Sequence, residues 1–393
     1  MFSRNRAKNP YSFERGGFPV LGLYLHIPFC DGKCPYCDFY SLAGEESVKE
    51  EYTLRLEKEL ALWADKLQKE GVPPKADTLY FGGGTPNLLG GNRIARLILA
   101  AKEHFSLQNA EITVEVNPSS ELSSFFREIF AAGANRLSIG LQSAHDEELK
   151  ALGRRHTAQQ AAETVKAARE AGFSNLSLDL MLATPGQTLE SALSSVQFCA
   201  GLGVNHVSAY LLKVEPGTPY WNRRDSLSLP GEDETADRYL AVCAALEQTG
   251  LPQYEISNFA VPGFESRHNL KYWRCEEYLG LGPGAHSFVN GKRFYYPRSL
   301  HDFLQSPQPV QDGEGGTLEE ALLLGLRLSE GITLKTLSPF GEEGERAFSI
   351  MEKKSRPYRA AGLLKPEPEC IAMTPKGFLV SNELITELLP ELY

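Results

Sequence analysis

Three cysteines lie close together in Tyr24-Leu-His-Ile-Pro-Phe-Cys-Asp-Gly-Lys-Cys-Pro-Tyr-Cys-Asp38, as Cys30, Cys34 and Cys37 at the spacing C-x3-C-x2-C. Three thiolates are one ligand short of a closed four-coordinate site. An iron–sulfur cubane held by three cysteines leaves one iron open to a further ligand. A catalytic or ligand-binding metal needs such an open position, and a structural one does not. Two plainer readings compete. A zinc knuckle would draw a fourth ligand from nearby, and His26 is in range. His26, however, falls in the apolar run Leu23-Tyr-Leu-His-Ile, which has the pattern of a strand. A disulfide is the other alternative. Seven cysteines is an odd number, and with no secretory signal it points to a reducing, cytoplasmic setting.

Other residues with chemical potential follow at intervals. Gly82-Gly-Gly-Thr-Pro86 could bring backbone close to a ligand, or could simply make a tight turn. Glu115, in Glu-Val-Asn-Pro, could accept hydrogen bonds from ribose hydroxyls, as acidic groups do in dinucleotide folds, or could fix a loop. Gln142 and Arg154 come next. Asp179 stands alone among Leu176, Leu178, Leu180 and Met181. A buried carboxylate needs a partner, so Asp179 must meet either a structural cation such as Arg154 or a ligand.

The elements that must position these residues alternate along the chain. Strand patterns cover Val20–Ile27, Thr78–Phe81, Ile112–Val116, Arg136–Leu141, Leu176–Leu182 and His206–Leu212. Helical patterns follow each in turn: Glu45–Gly71, Arg93–His104, Leu122–Ala132, a helix opened by the capping box Thr157-x-x-Gln160 and ended at Gly172, Leu189–Leu202 and Glu232–Thr249. Such alternation argues for parallel strands with crossover helices. Six units make a partial (β/α)6 barrel rather than a full eightfold one, and a doubly wound open sheet is the alternative. In either, ligands gather at the C-terminal ends of the strands. All the candidate residues therefore fall on one edge.

Beyond residue 250 the pattern changes. Residues 253–300 are rich in Tyr, Phe, Gly and His. From about 301 the chain reads as mainly helical and winged-helix-like, with a capping box at Thr317-x-x-Glu320, a short strand and turn from Ile371 and a final helix near Phe378–Leu389. That segment carries 9 Lys/Arg against 15 Asp/Glu, a net of −6, and the whole chain of 393 residues carries −10. Binding nucleic-acid phosphates needs basic surface, so a nucleic-acid partner is not expected. No apolar run reaches membrane-spanning length. Residues 1–19, with Arg4, Arg6, Lys8 and Arg15 but no apolar stretch, read as a loose tail.

The cysteine motif after the first strand, with Tyr36 before the last cysteine, resembles that of the radical S-adenosylmethionine (SAM) superfamily. Tyr-x-His-Ile-Pro-Phe-Cys, Gly-Gly-Gly-Thr-Pro, Glu-Val-Asn-Pro and Asp-Leu-Met-x-x-x-Pro-Gly-Gln narrow the resemblance. It points to the branch holding the anaerobic coproporphyrinogen III dehydrogenase HemN and the haem chaperone HemW. The resemblance spans about residues 20–390 and implies a tail (1–19), a radical SAM partial barrel (20–250), a barrel extension (251–300) and a C-terminal domain of the HemN/HemW kind (301–393). It implies a [4Fe–4S] cluster on Cys30, Cys34 and Cys37, with the open iron chelated by SAM. Tyr24, Gly83, Glu115 and His286 would touch that SAM. Tyr36, Gly84, Thr85, Gln142, Arg154, Asp179 and Leu211 would line the pocket that holds a second SAM in the dehydrogenase.

Two departures separate this chain from the dehydrogenase. The fourth cysteine that follows its cluster motif is here Phe39, and only 29 residues precede Cys30. A third feature agrees: Arg267-His268-Asn269-Leu-Lys-Tyr272-Trp273 matches the H-N-x-x-Y-W motif of the HemW branch. An imidazole among aromatic rings suits haem, and it equally suits a buried His–Asn pair that fixes a loop. Cys275 is a further thiolate candidate, while Cys199, Cys243 and Cys370 read as packing residues. The implied partners are haem and haem-accepting proteins, such as respiratory or iron-storage proteins. Peripheral membrane contact, and a monomer or a dimer, stay open. The opposing hypothesis is an enzyme that oxidatively decarboxylates coproporphyrinogen III.

Overall fold

The computed structural model describes residues 20–390; the expected N-terminal tail lies outside them. The six expected β-then-α units are all present, with boundaries within two residues of those read from the sequence. They run β1 (Leu21–Ile27), α1 (Glu46–Lys69), β2 (Ala76–Gly83), α2 (Gly91–His104), β3 (Glu111–Val116), α3 (Ser123–Ala132) and β4 (Arg136–Gln142). Then come α4 (Asp146–Ala151), α5 (Ala158–Glu170), β5 (Asn175–Leu182), α6 (Leu189–Gly201), β6 (His206–Leu211), α7 (Pro219–Asn222) and α8 (Glu232–Gln248). The six strands pair in parallel in chain order, which makes the curved α/β sheet of a partial barrel.

Each strand obeys a period of two. Leu21, Leu23, Leu25 and Ile27 of β1, Ile112, Val114 and Val116 of β3, Leu137, Ile139 and Leu141 of β4, and Leu176, Leu178, Leu180 and Leu182 of β5 are almost wholly buried and join one core cluster with the helices. The alternate positions are mostly polar: Tyr24, His26, Thr78, Tyr80, Thr113, Glu115, Arg136, Ser138, Ser177, Asp179, His206 and Ser208. Successive Cβ atoms point to opposite faces of a strand. The helix side is therefore apolar and the lumen polar, unlike a closed barrel filled by branched aliphatic side chains. Register sets the lumen residues side by side, with Glu115 opposite Ser138 and Asp179 opposite Ser208.

The sheet extends at both ends. The chain continues through β7 (Gln253–Glu255), β8 (Asn258–Ala260), α9 (Arg267–Trp273), β9 (Tyr278–Leu281), β10 (His286–Val289), β11 (Lys292–Tyr295), α10 (Leu300–Gln305) and β12 (Val310–Glu314). The resulting twelve-stranded order is β12-β11-β10-β9-β1-β2-β3-β4-β5-β6-β8-β7. β9 lies parallel to β1, so the first strand of the chain is interior to the sheet.

The remaining residues are mainly helical: α11 (Leu318–Gly325), β13 (Ile332–Thr333), α12 (Leu334–Leu337), α13 (Gly341–Ala360), β14 (Cys370–Ile371), α14 (Pro375–Leu379) and α15 (Ser381–Leu388), with β13 and β14 antiparallel. Three local expectations need correction. β12 is a strand in a stretch read as helical; its five exposed residues carry no periodic apolar signal, and pairing with β11 makes the strand. The final helix is two helices broken at Val380. At Thr317 only half of the capping box forms: the threonine accepts from the Glu320 N–H, but the Glu320 carboxylate turns to the Gly316 N–H and to Arg293. The box at Thr157–Gln160 is complete.

Candidate functional site

The C-terminal ends of the parallel strands open into a cleft of about 380 Å³. Its lining includes Cys30, Cys34, Tyr36, Cys37, Gly83, Gly84, Thr85, Glu115, Gln142, Arg154 and Asp179. Eleven residues singled out from the sequence, drawn from the ends of five strands and their loops, thus meet at one surface.

The cysteine loop is held at its neck and its tip. At the neck the Cys30 N–H donates to Leu42 O (2.9 Å) and the Leu42 N–H to Pro28 O (2.8 Å). The glycine motif extends this pairing: the Gly84 N–H donates to Ile27 O and the Thr85 N–H to Phe29 O, each at 2.8 Å. A Cβ at Gly84 would stand 2.6 Å from Phe29 O, so the close approach of the two backbones requires glycine there. At the tip, the Tyr220 N–H of α7 donates to Pro35 O at 2.9 Å.

A hydrogen-bonded chain runs from the first cysteine to the second. The Thr85 hydroxyl donates to Cys30 Sγ (3.7 Å) and accepts from Asn117 Nδ2 (2.9 Å). Asn117 Oδ1 accepts from Arg154 (2.6 Å), whose other terminal nitrogen donates to Cys34 Sγ (3.8 Å). Burial, together with the neighbouring Cys34 and Cys30, pushes the Cys37 thiol above its ordinary pKa. Donors aimed at sulfur stabilise thiolates, the form that binds metal. Among the described residues no three His, Cys, Asp or Glu side chains converge tightly enough for a single metal ion. An iron–sulfur cluster seats each of its cysteines on a separate iron. His26, the candidate fourth zinc ligand, has both ring nitrogens engaged, by the Tyr24 hydroxyl (3.0 Å) and by Tyr40 O (2.9 Å).

Below the cysteines lie the two carboxylates. Glu115 accepts from the Tyr80 hydroxyl (2.8 Å) and the Gly83 N–H (3.3 Å). Burial, with Asp179 nearby, pushes its pKa up to about 7. Asp179 accepts from Ser138 Oγ at 3.1 Å and from the Ser208 hydroxyl, and burial raises its pKa too. Arg154, offered as its structural partner, bonds Asn117 and Gly140 O instead. Gln142 ends β4 with φ 70°, where the register with β5 slips. Few non-glycine residues adopt that conformation; Gln142 shares it with Asn109, Ala183, Cys275 and Asn290.

Four predicted residues are not brought into the lining. Tyr24 faces the lumen beside His26, under electrostatic influence of Glu115. Leu211 is exposed at the end of β6. His286 is exposed on β10 and stacks on Tyr295 at 5.2 Å. His268 is 1% exposed, hydrogen-bonded to Thr78 Oγ1 and to the Tyr272 hydroxyl at 2.8 Å each, with its ring stacked on Tyr80. Burial pushes its pKa down to about 3, so the imidazole is neutral. In this arrangement it is a packing residue of α9, which plugs the lower end of the lumen, and offers no free nitrogen. Its neighbour Asn269 does reach the cleft. So do Asn117, Arg136, Ser138, Ser208 and Tyr210, which the sequence reading does not single out. The period-two alternation in Arg136-Leu-Ser-Ile-Gly and His206-Val-Ser-Ala-Tyr is the signal that finds all of these but Asn117, which follows β3. Phe39, at the mouth, is 65% exposed.

Comparison with known proteins adds three findings. The Radical SAM superfamily description matches residues 24–199, and the HemN C-terminal domain matches residues 317–380. The chain is 38% identical to a heme chaperone HemW of Mycobacterium tuberculosis over 94% of this chain and 95% of that one. It is 34% identical to heme chaperone HemW of Bacillus subtilis over 94% and 99%. Among solved structures, the coproporphyrinogen III oxidase HemN of Escherichia coli superposes with a TM-score of 0.78 at 22% identity, covering 100% of this chain and 94% of that chain, which is a likeness of fold.

Proposed function

The chain belongs to the heme chaperone HemW family, within the radical SAM superfamily, and from that premise we propose that it binds haem and passes it to acceptor proteins, using a cleft that also holds a SAM-binding [4Fe–4S] cluster. The observation that carries the reading is the convergence of three cysteines, the glycine motif, Glu115 and Asp179 on one cleft, with Phe39 exposed at its mouth. Cys30, Cys34 and Cys37 would hold the cluster, whose open iron would take the amino-acid end of SAM. Glu115, anchored by Tyr80 and Gly83, would accept hydrogen bonds from the ribose. Thr85, Asn117 and Arg154 would set the thiolates in position and supply donors to two sulfurs. Phe39, Tyr210, Leu211 and Trp221 leave large apolar area exposed at or near the strand ends. Flat apolar surface of this kind suits a macrocycle. No helix among the described residues is long and apolar enough to cross a membrane.

The test is a pair of measurements on anaerobically reconstituted protein. Haem titration followed in the visible spectrum is expected to show stoichiometric binding, and subsequent mixing with an apo-haemoprotein should transfer the haem. Incubation with SAM, a reductant and coproporphyrinogen III is expected to leave the tetrapyrrole unchanged. Robust formation of protoporphyrinogen would instead establish the decarboxylase and sink the chaperone reading.

A further inference from the structure

Arg136 opens β4 with its side chain in the lumen, and it is 1% exposed yet lines the cleft. A guanidinium has five N–H donors and stays charged. Burying it without partners costs several kcal/mol. Here Nε has no hydrogen-bond partner, and among the described residues the guanidinium makes neither a hydrogen bond nor an ion pair. Two carboxylates, Glu115 and Asp179, feel its charge. Both are committed elsewhere: Glu115 to Tyr80 and the Gly83 N–H, Asp179 to Ser138 and Ser208. The two carboxylates are thus held by other donors, while the fork that would grip an anion is left over; Thr113 Oγ1 and Asn175 Oδ1, on the residues paired with Arg136 in β3 and β5, are also buried without a partner.

We infer that Arg136 is the anchor for a carboxylate of the small molecule held in the cleft. A planar guanidinium takes a carboxylate through two parallel N–H···O bonds. Glu115 and Asp179 repel any anion there in proportion to its charge, so the single charge of a carboxylate is opposed less than the double charge of a phosphate. Two ligands of the proposed function carry such a group: haem in its propionates, and SAM in its methionyl end. The inference rests on that reading for the ligands it tests, not for the observation that motivates it.

The experiment is a binding cycle on the cluster-loaded full chain. Haem is compared with haem dimethyl ester, and SAM with decarboxylated SAM, in the wild type and in Arg136→Gln, by Soret titration and by the electron paramagnetic resonance of the reduced cluster. Removing a buried charge-assisted contact costs about tenfold or more in affinity. The expected result is that Arg136→Gln loses about that factor for the acid form of one pair and little for its neutral form. Comparing the two forms cancels any iron–carboxylate contact, because that contact is equal in both proteins. Coupling in the haem pair identifies a propionate, and coupling in the SAM pair the methionyl carboxylate. Equal losses for acid and neutral forms in both pairs would overturn the inference. If Arg136→Gln does not fold, Arg136→Lys keeps the charge but not the fork, and is read by the same cycle. Failure of the wild type to bind haem would sink the chaperone reading and leave the SAM arm to decide the role of Arg136.

Discussion

Single atoms decide much at the cleft. The backbone of Gly84 lies so close to Phe29 that a methyl group would collide with its carbonyl oxygen at 2.6 Å. Gly84→Ala is therefore expected to break the pairing behind the cysteine loop and to lower the iron and sulfide retained after reconstitution, while far-ultraviolet circular dichroism stays native; full iron content would refute the role. Cys30→Ala, Cys34→Ala and Cys37→Ala should each abolish the broad visible absorbance of the cluster, and unchanged iron in any of them would count against the ligand set. Glu115 offers a pH test. Its pKa of about 7 means that it ionises as pH rises through neutrality, and the ionised carboxylate is the stronger acceptor. SAM affinity should rise from about pH 6 to about pH 8. Glu115→Gln should remove that rise, and a persistent slope in the variant would assign the titration to another group.

The elements explain which of these features could be read from the chain. Strand and helix order was legible because apolar residues alternate with period two in strands and cluster on one side of helices, and the cysteine loop was legible because strand ends are where loops carry function. The direction of α9 was not. His268 and Tyr272 are one turn apart and share a face, but nothing local says that this face plugs the lumen rather than meeting a ligand; only the bonds to Thr78 and Glu111 decide it. Nor could β12 be read, since its pairing with β11 is tertiary. Packing at this level has a measurable strength. Leu178, wholly buried on the helix side of β5, should cost about 2–5 kcal/mol when replaced by Ala, as read from denaturant unfolding; a loss under 1 kcal/mol (about the smallest core effect) would contradict the burial. The short hairpin β7–β8 contributes a pH dependence. Glu255 is wholly buried between Ser257 and Asn258, and burial lifts its pKa from 4.5 to about 7. Between those values the folded state keeps a proton that the unfolded state has released, so stability falls as pH rises across that window. The melting temperature of Glu255→Gln should fall less than that of the wild type over the same range, and parallel slopes would sink this assignment.

The molecule as a whole places its stability outside the barrel and its polarity inside. The apolar strand faces and helices form one continuous core, while the lumen holds the charged groups Arg136, Glu115 and Asp179. Occupying the lumen should therefore stabilise the fold: SAM at about one hundred times its Kd should add about 2.7 kcal/mol to unfolding, and an unchanged melting curve would place its binding elsewhere. The position of β1 carries a consequence in time rather than in space. Its neighbours are β2 on one side and β9 on the other, and β9 ends only at Leu281. A ribosome delivers β1 among the first segments of the fold, but its second partner arrives some 250 residues later, about 10–50 s at ordinary elongation rates. Until then the strand that carries the cysteine loop has an open edge. If the proposed cluster needs the finished sheet, its loading waits for β9, and a nascent protein stalled before that strand would present three bare thiols on an open edge.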